Sequence, residues 1–210
     1  MVFLELYLTL KDSGMARKSG MINSRSPIPV IIGAGITEQW YFTHLQNLLD
    51  LRCRIRPRYF GTEDIRQLDK KIAQVLESGA IAICIFDVDT AQFNEIEKAK
   101  VTALKKKYEG KKNVILCDSL PSIEYWFLLH YEDTNRFFQN SAAAETVLQK
   151  YIADYEKTEG FLSKQKWVEN MIEGSKLELA KSRAQKYENS ERAYSKVYKA
   201  IEFVSGNKPL

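Results

Sequence analysis

Residues 80–90 read AIAICIFDVDT, and the fold follows from how that stretch is understood. Ala80 to Phe86 is apolar at every position, with no polar residue at alternate sites, so a strand built from it has both faces buried. Strands of that kind lie inside parallel sheets with helices packed on either side. Directly after the run come Asp87 and Asp89, two residues apart and so projecting on the same side. The carboxyl ends of the strands in an open α/β sheet form its ligand crevice, which is where such a pair would be put to use.

Toward the N-terminus the same alternation of short apolar runs and longer periodic stretches begins at Pro27. Val30 to Ile32 reads as the first strand, Gly33-Ala34-Gly35 as a turn, and Thr37 to Leu51 as a helix with Thr37 as its N-cap. Arg54 to Phe60 follows as a strand, stopped at Gly61-Thr62. A helix from Glu63 to Ser78 then carries Ile65, Leu68, Ile72, Val75 and Leu76 at helical spacing. On the other side of the apolar run come a helix from Phe93 to Tyr108, a strand from Asn113 to Asp118 and a helix from Ser122 to Tyr131.

Strand signals stop after Glu132. Ser141 to Val204 shows only helical periodicity, broken at Gly160, Gly174 and around Asn189, which predicts three or four helices. The expected organisation is a leader over 1–26, forming an extra strand or disordered, an α/β domain over 27–132 and a helical C-terminal subdomain over 133–210. The opening MVFLELYLTLKDSGMARK lacks the flanks of a signal peptide.

At 210 residues, 45% hydrophobic and 28% charged, the chain has the make-up of a globular protein. Its longest apolar runs fall far short of the ~20 residues a membrane helix needs, so a soluble cytoplasmic protein is expected. Cys53, Cys84 and Cys117 are widely spaced, which argues for a reducing compartment without a disulfide framework or zinc site. The net charge of +4 tolerates a polyanionic partner without requiring one. Basic residues gather at RCRIRPR (Arg52 to Arg58), at KAKVTALKKKYEGKK (Lys98 to Lys112) and in the last third, as solvated helix faces or as phosphate contacts.

Three features carry candidate chemistry. Asp87 and Asp89 supply hard oxygen ligands suited to Mg²⁺ or Mn²⁺, though aspartate also serves as a turn former and helix cap before Ala91. The GAG turn exposes backbone N–H groups at a helix start, where phosphate is held, and a plain tight turn explains it equally well. Glu38, in the first turn of that helix, is a second candidate ligand or acid/base group. Finally SLPSIEYWFLLHY, Ser119 to Tyr131, is a proline turn into an aromatic helix bearing Glu124 and His130. Its Trp126, Phe127, Leu128 and Leu129 read as core.

These pieces stand in a particular order: a first strand leading into GxTExxYF, an apolar strand ending in DxD, then EYWFLLHY. In that order they resemble the RloB family, also called AbiLii-like, whose core looks like a Toprim domain. The likeness covers Pro27 to Tyr131 well and the tail more loosely, through YEKTEGF and YENSERAYSKVYKAI. It implies a Toprim or Rossmann-like α/β fold, a mainly parallel sheet flanked by helices. Gly35, Thr37 and Glu38 match the motif that follows the first strand.

The resemblance also implies a function. Toprim domains bind Mg²⁺ through a DxD, here Asp87 and Asp89, and through a glutamate just before the motif's glycine, for cleavage or transfer of a nucleic-acid strand. That glutamate position is Ala34 in this chain. Three explanations compete: an introduced Glu-to-Ala change in a toxic nuclease, a naturally inactive member, or a site in which Glu38 takes over. The implied setting is abortive-infection defence against phage beside an ABC or AAA-type ATPase, with DNA or tRNA as substrate and oligomerisation possible. Lys157, Lys164 and Lys166 are candidates for holding the nucleic-acid backbone. The competing expectation is a regulatory subunit that keeps the Toprim shell for binding alone.

Overall fold

The computed structural model describes residues 27–56 and 64–206. Five strands form one sheet in the order β2-β1-β3-β4-β5, with β1 at Val30–Gly33, β2 at Arg54–Ile55, β3 at Ala82–Asp87, β4 at Val114–Leu120 and β5 at Tyr194–Ser195. The first four are parallel and β5 runs antiparallel beside β4. β3 is central, pairing with Val30 through Gly33 on one side and with Val114 through Ser119 on the other, as its unbroken apolar run requires. The expected leader, the rest of the strand drawn to Phe60, the Gly61-Thr62 stop and Glu63 lie outside the described residues.

Strand alternation divides the core in two. Val30, Ile32, Cys84, Phe86 and Val114 face α2 (Ile65–Glu77) and α4 (Glu95–Tyr108), which contribute Leu68, Ile72, Val75, Val101 and Leu104. Ile31, Ile83, Ile85 and Cys117 face the opposite way, toward α1 (Ile36–Leu49) and α5 (Ile123–Leu128). That second core also takes in the C-terminal helices: α6 (Ser141–Leu148), α7 (Glu159–Leu162), α8 (Lys166–Ile172), α9 (Lys176–Lys186) and α10 (Val197–Gly206). At its centre Trp126 is fully buried and its indole N–H donates to the Tyr41 hydroxyl at 2.8 Å. Truncating a tryptophan packed this way costs about 3–5 kcal/mol.

Three local readings change. The helix expected from Phe93 is split into a short α3 (Asp89–Phe93) and α4, because Asn94 leaves helical geometry and its side chain accepts from the Ile96 and Glu97 N–H groups. The tail holds five helices among the described residues, and it returns one strand to the sheet at β5, two residues being too short for periodicity to register. Thr37 is not the cap of α1; Gly35 is. No described helix is long and apolar enough to cross a membrane, and all three cysteines are buried thiols outside any disulfide.

Candidate functional site

The carboxyl ends of β1 and β3 and the starts of α1 and α5 meet around a group of acidic side chains. Glu38, in the first turn of α1, is 4% exposed. Its carboxylate folds back over the GAG turn, where the backbone N–H groups of Gly35 and of Glu38 itself favour its charged form. The two glycines are needed for room: a Cβ on Gly33 would stand 2.9 Å from Glu38 Cβ, and one on Gly35 would stand 2.9 Å from Glu38 Oε2. The carboxyl group at this helix start is therefore the protein's own, and it stands where a phosphate would bind.

Asp87 ends β3, partly buried, and its Oδ1 accepts from the Ile123 N–H at 3.0 Å, at the opening of α5. Asp89 begins α3 and turns one oxygen to the Thr90 N–H at 2.7 Å. Ala34 lies between β1 and α1 with its N–H on the Ile85 carbonyl at 3.0 Å, and its methyl packs against the apolar core.

Glu124 is fully buried in α5, an expensive place for a charge unless it is paired and hydrogen-bonded. The Ser122 hydroxyl donates to its Oε2 at 2.6 Å and the Tyr155 hydroxyl to its Oε1 at 2.9 Å. The Lys157 ammonium stands 3.1 Å from Oε2 and 3.6 Å from Glu145 Oε2. Tyr155 and Lys157 come from the loop between α6 and α7, so the tail supplies both the hydroxyl and the cation.

Burial pushes Glu38 up to about 7, with Glu124 adding repulsion and Lys157 opposing it. Asp87 is raised well above the ordinary carboxylate value by burial, then by Glu38 and Glu124, and more weakly by Asp89. Burial works against the Lys157 ammonium, but Glu124, Glu145 and Asp87 outweigh it and hold its pKa above the ordinary value. The group is thus a set of mutually repelling carboxylates with one internal cation, the kind of perturbed cluster that marks functional sites.

Glu38, Asp87, Glu124 and Lys157 are brought together, with Asp89 at the rim. Lys164 and Lys166 are not among them; both line a separate cavity with Tyr131 and Tyr151. His130 is buried, its Nδ1 paired with the Trp126 carbonyl at 3.0 Å, and burial lowers it to about 3. Sequence reasoning missed Ser122, Tyr155 and Glu145. The spacing Tyr155-x-Lys157 was visible, but nothing local tied it to Glu124.

Divalent cations need several oxygen ligands free to turn toward the ion. Here position 34 offers a methyl, Asp89 has one oxygen on its own helix, both oxygens of Glu124 are engaged, and Lys157 already supplies positive charge. Among the described residues no group of three or more His, Cys, Asp or Glu side chains is gathered to hold a metal ion. The donor set of this chain does not fit a bound Mg²⁺ or Mn²⁺.

The sequence profile of the family described as RloB-like protein matches residues 29–204. No curated protein and no solved structure matches the chain.

Proposed function

The chain belongs to the RloB-like protein family, and from that premise we propose that it is a Toprim-type, metal-dependent nuclease of anti-phage abortive-infection defence, disabled by Ala34 at the glutamate position. Its substrate is nucleic acid, DNA or tRNA, and its partner is an ATPase of the ABC or AAA type. One observation carries the reading: Asp87, at the carboxyl edge of a parallel sheet, is tied to the start of α5 and lies near enough to Glu38 of α1 and Glu124 of α5 to be repelled by both. A glutamate at position 34 would add an oxygen ligand beside Asp87, and Mg²⁺ or Mn²⁺ held there would supply Lewis-acid chemistry at a phosphodiester.

In the chain as it stands the residues position rather than react. Ile123 N–H fixes the Asp87 carboxylate, Glu38 folds over the GAG turn, and Lys157 presents an ammonium at the cluster that suits a phosphate oxygen. A second reading, a binding or regulatory subunit of the ATPase complex, is favoured by that same lysine: it already neutralises the cluster, and Ala34 gives a metal nothing to replace it with.

The test is cleavage of plasmid, single-stranded DNA and total tRNA with Mg²⁺ or Mn²⁺ by the parent chain, by Ala34→Glu and by Ala34→Glu combined with Asp87→Ala. Cleavage that appears with Ala34→Glu and vanishes in the double variant supports the disabled nuclease. Failure of Ala34→Glu to cleave, with the ATPase partner present as well as without it, replaces it with the binding subunit.

A further inference from the structure

Tyr155 stands between the carboxylate cluster and a second feature. Its hydroxyl is on Glu124, while its ring lies 5.5 Å from that of Phe161 and 6.2 Å from that of Trp167. Both of those rings line a cavity of about 370 Å³ whose other walls include Tyr131, Tyr151, Lys164 and Lys166. One stretch of chain, 151–167, running from the end of α6 through α7 into α8, therefore serves both places, giving Tyr155 and Lys157 to the cluster and Tyr151, Phe161, Lys164 and Lys166 to the cavity.

Tyr131 and Tyr151 stack with ring centroids 5.0 Å apart and planes inclined by 11°. Tyr151 is 42% exposed, and its hydroxyl donates to Glu132 Oε2 at 2.7 Å, which fixes the ring's orientation. Lys176 lies 5.8 Å over the Tyr131 ring. Lys164 and Lys166 are exposed, the latter paired with Glu169, also exposed, at 3.1 Å. A pre-oriented flat aromatic surface beside lysines matches a ligand with a π-face and an attached negative charge, and the volume is of the order a nucleotide needs.

We propose that this cavity is a nucleobase subsite, stacking the base of a nucleotide next to the one held at the carboxylate cluster on Tyr151 and placing its phosphate on Lys164 and Lys166. The assignment rests on the nucleic-acid reading above and narrows it to strands whose bases are unpaired, because a base inside a duplex has no free face to offer. The stacking contact is indifferent to base identity, so the subsite orients a strand without reading its sequence.

Fluorescence anisotropy of the parent chain with short labelled single-stranded DNA and RNA tests it. Tyr151→Ala should weaken binding about ten-fold, and Tyr151→Phe, which keeps the ring, should not. An oligonucleotide with abasic residues should bind the parent as weakly as the intact strand binds Tyr151→Ala. Lys164→Ala should weaken binding and lower the salt slope by about one. If Tyr151→Ala and Lys164→Ala bind like the parent while Lys157→Met loses affinity, the subsite is overturned and the nucleic-acid reading stands. If the parent binds neither strand, the nucleic-acid reading falls and the subsite with it.

Discussion

The Tyr155 hydroxyl donates to Glu124 Oε1 at 2.9 Å, joining residues 31 positions apart inside the core. Through that bond and the neighbouring ammonium of Lys157, the tail of the chain makes burial of Glu124 affordable. Tyr155→Phe should lower stability by about 1–2 kcal/mol, because it leaves a buried carboxylate oxygen without its donor. Lys157→Met should cost about 2 kcal/mol, a value reduced from that of a fully buried pair because the lysine is about one third exposed. Urea denaturation of both variants, and of Glu124→Gln with each, checks the coupling: the losses should not add if all three act as one unit.

Stability should also depend on pH through the same cluster. Glu38 rises from 4.5 to about 7 on folding, so the folded state prefers its protonated form. The contribution is fully present below the unfolded value of 4.5 and is lost as pH climbs through 7. Asp87, raised for the same reason, acts in the same direction. Glu38→Gln should therefore flatten the fall in stability between these limits and gain about 1–3 kcal/mol over the parent at pH 8. A Glu38→Gln melting profile that falls with pH as steeply as the parent's would contradict the placement of this carboxylate.

The two glycines of the GAG turn should differ in tolerance. Gly33→Ala sets a methyl against Glu38 Cβ, close to the backbone of α1, and should cost about 2 kcal/mol. Gly35→Ala meets only the end of the Glu38 side chain, which can swing aside. Its smaller loss should vanish in a Glu38→Ala background, whereas that of Gly33→Ala should persist, because alanine keeps the Cβ that it meets. Thermal denaturation of the three single and two double variants separates them.

Metal response should follow position 34. Millimolar Mn²⁺ should leave the melting temperature of the parent unchanged and raise that of Ala34→Glu by several degrees, since a ligand that binds only the folded state stabilises it by mass action. Adding Asp87→Asn to Ala34→Glu should abolish the shift. A rise in the parent itself would mean that Glu38, Asp87 and Asp89 suffice.

Asp118 anchors the far side of the sheet. Buried in β4, it takes Lys105 at 2.6 Å, the Tyr194 hydroxyl at 2.5 Å and Lys196 at 3.3 Å. Burial alone would raise its pKa, but the two lysines and the tyrosine outweigh this and lower it below the ordinary value. Its contribution is present above pH 3.8 and lost as pH falls through the depressed value. Asp118→Ala should cost about 2 kcal/mol at neutral pH and should loosen β5, read as faster hydrogen exchange at Lys196, whose N–H is held by the Asp118 carbonyl.

Local sequence was enough for the parallel sheet. The unbroken apolar run of Ala82 to Phe86 demands burial on both faces, and the apolar runs of β1 and β4 supply neighbours for it, so strand identity and the position of Asp87 at the carboxyl edge were legible from short windows. The Gly33 and Gly35 pattern was legible as a turn, but not as a space hollowed for Glu38. Tertiary structure alone decided that Tyr155 and Lys157 would meet Glu124, that Tyr194–Ser195 would return to the sheet edge, and that Lys164 and Lys166 would line a cavity that Lys157 does not. Periodicity states which face of an element must be covered, because burial depends on each residue's own side chain. It does not state what covers that face, because the choice is made by packing and charge pairing between segments tens of residues apart.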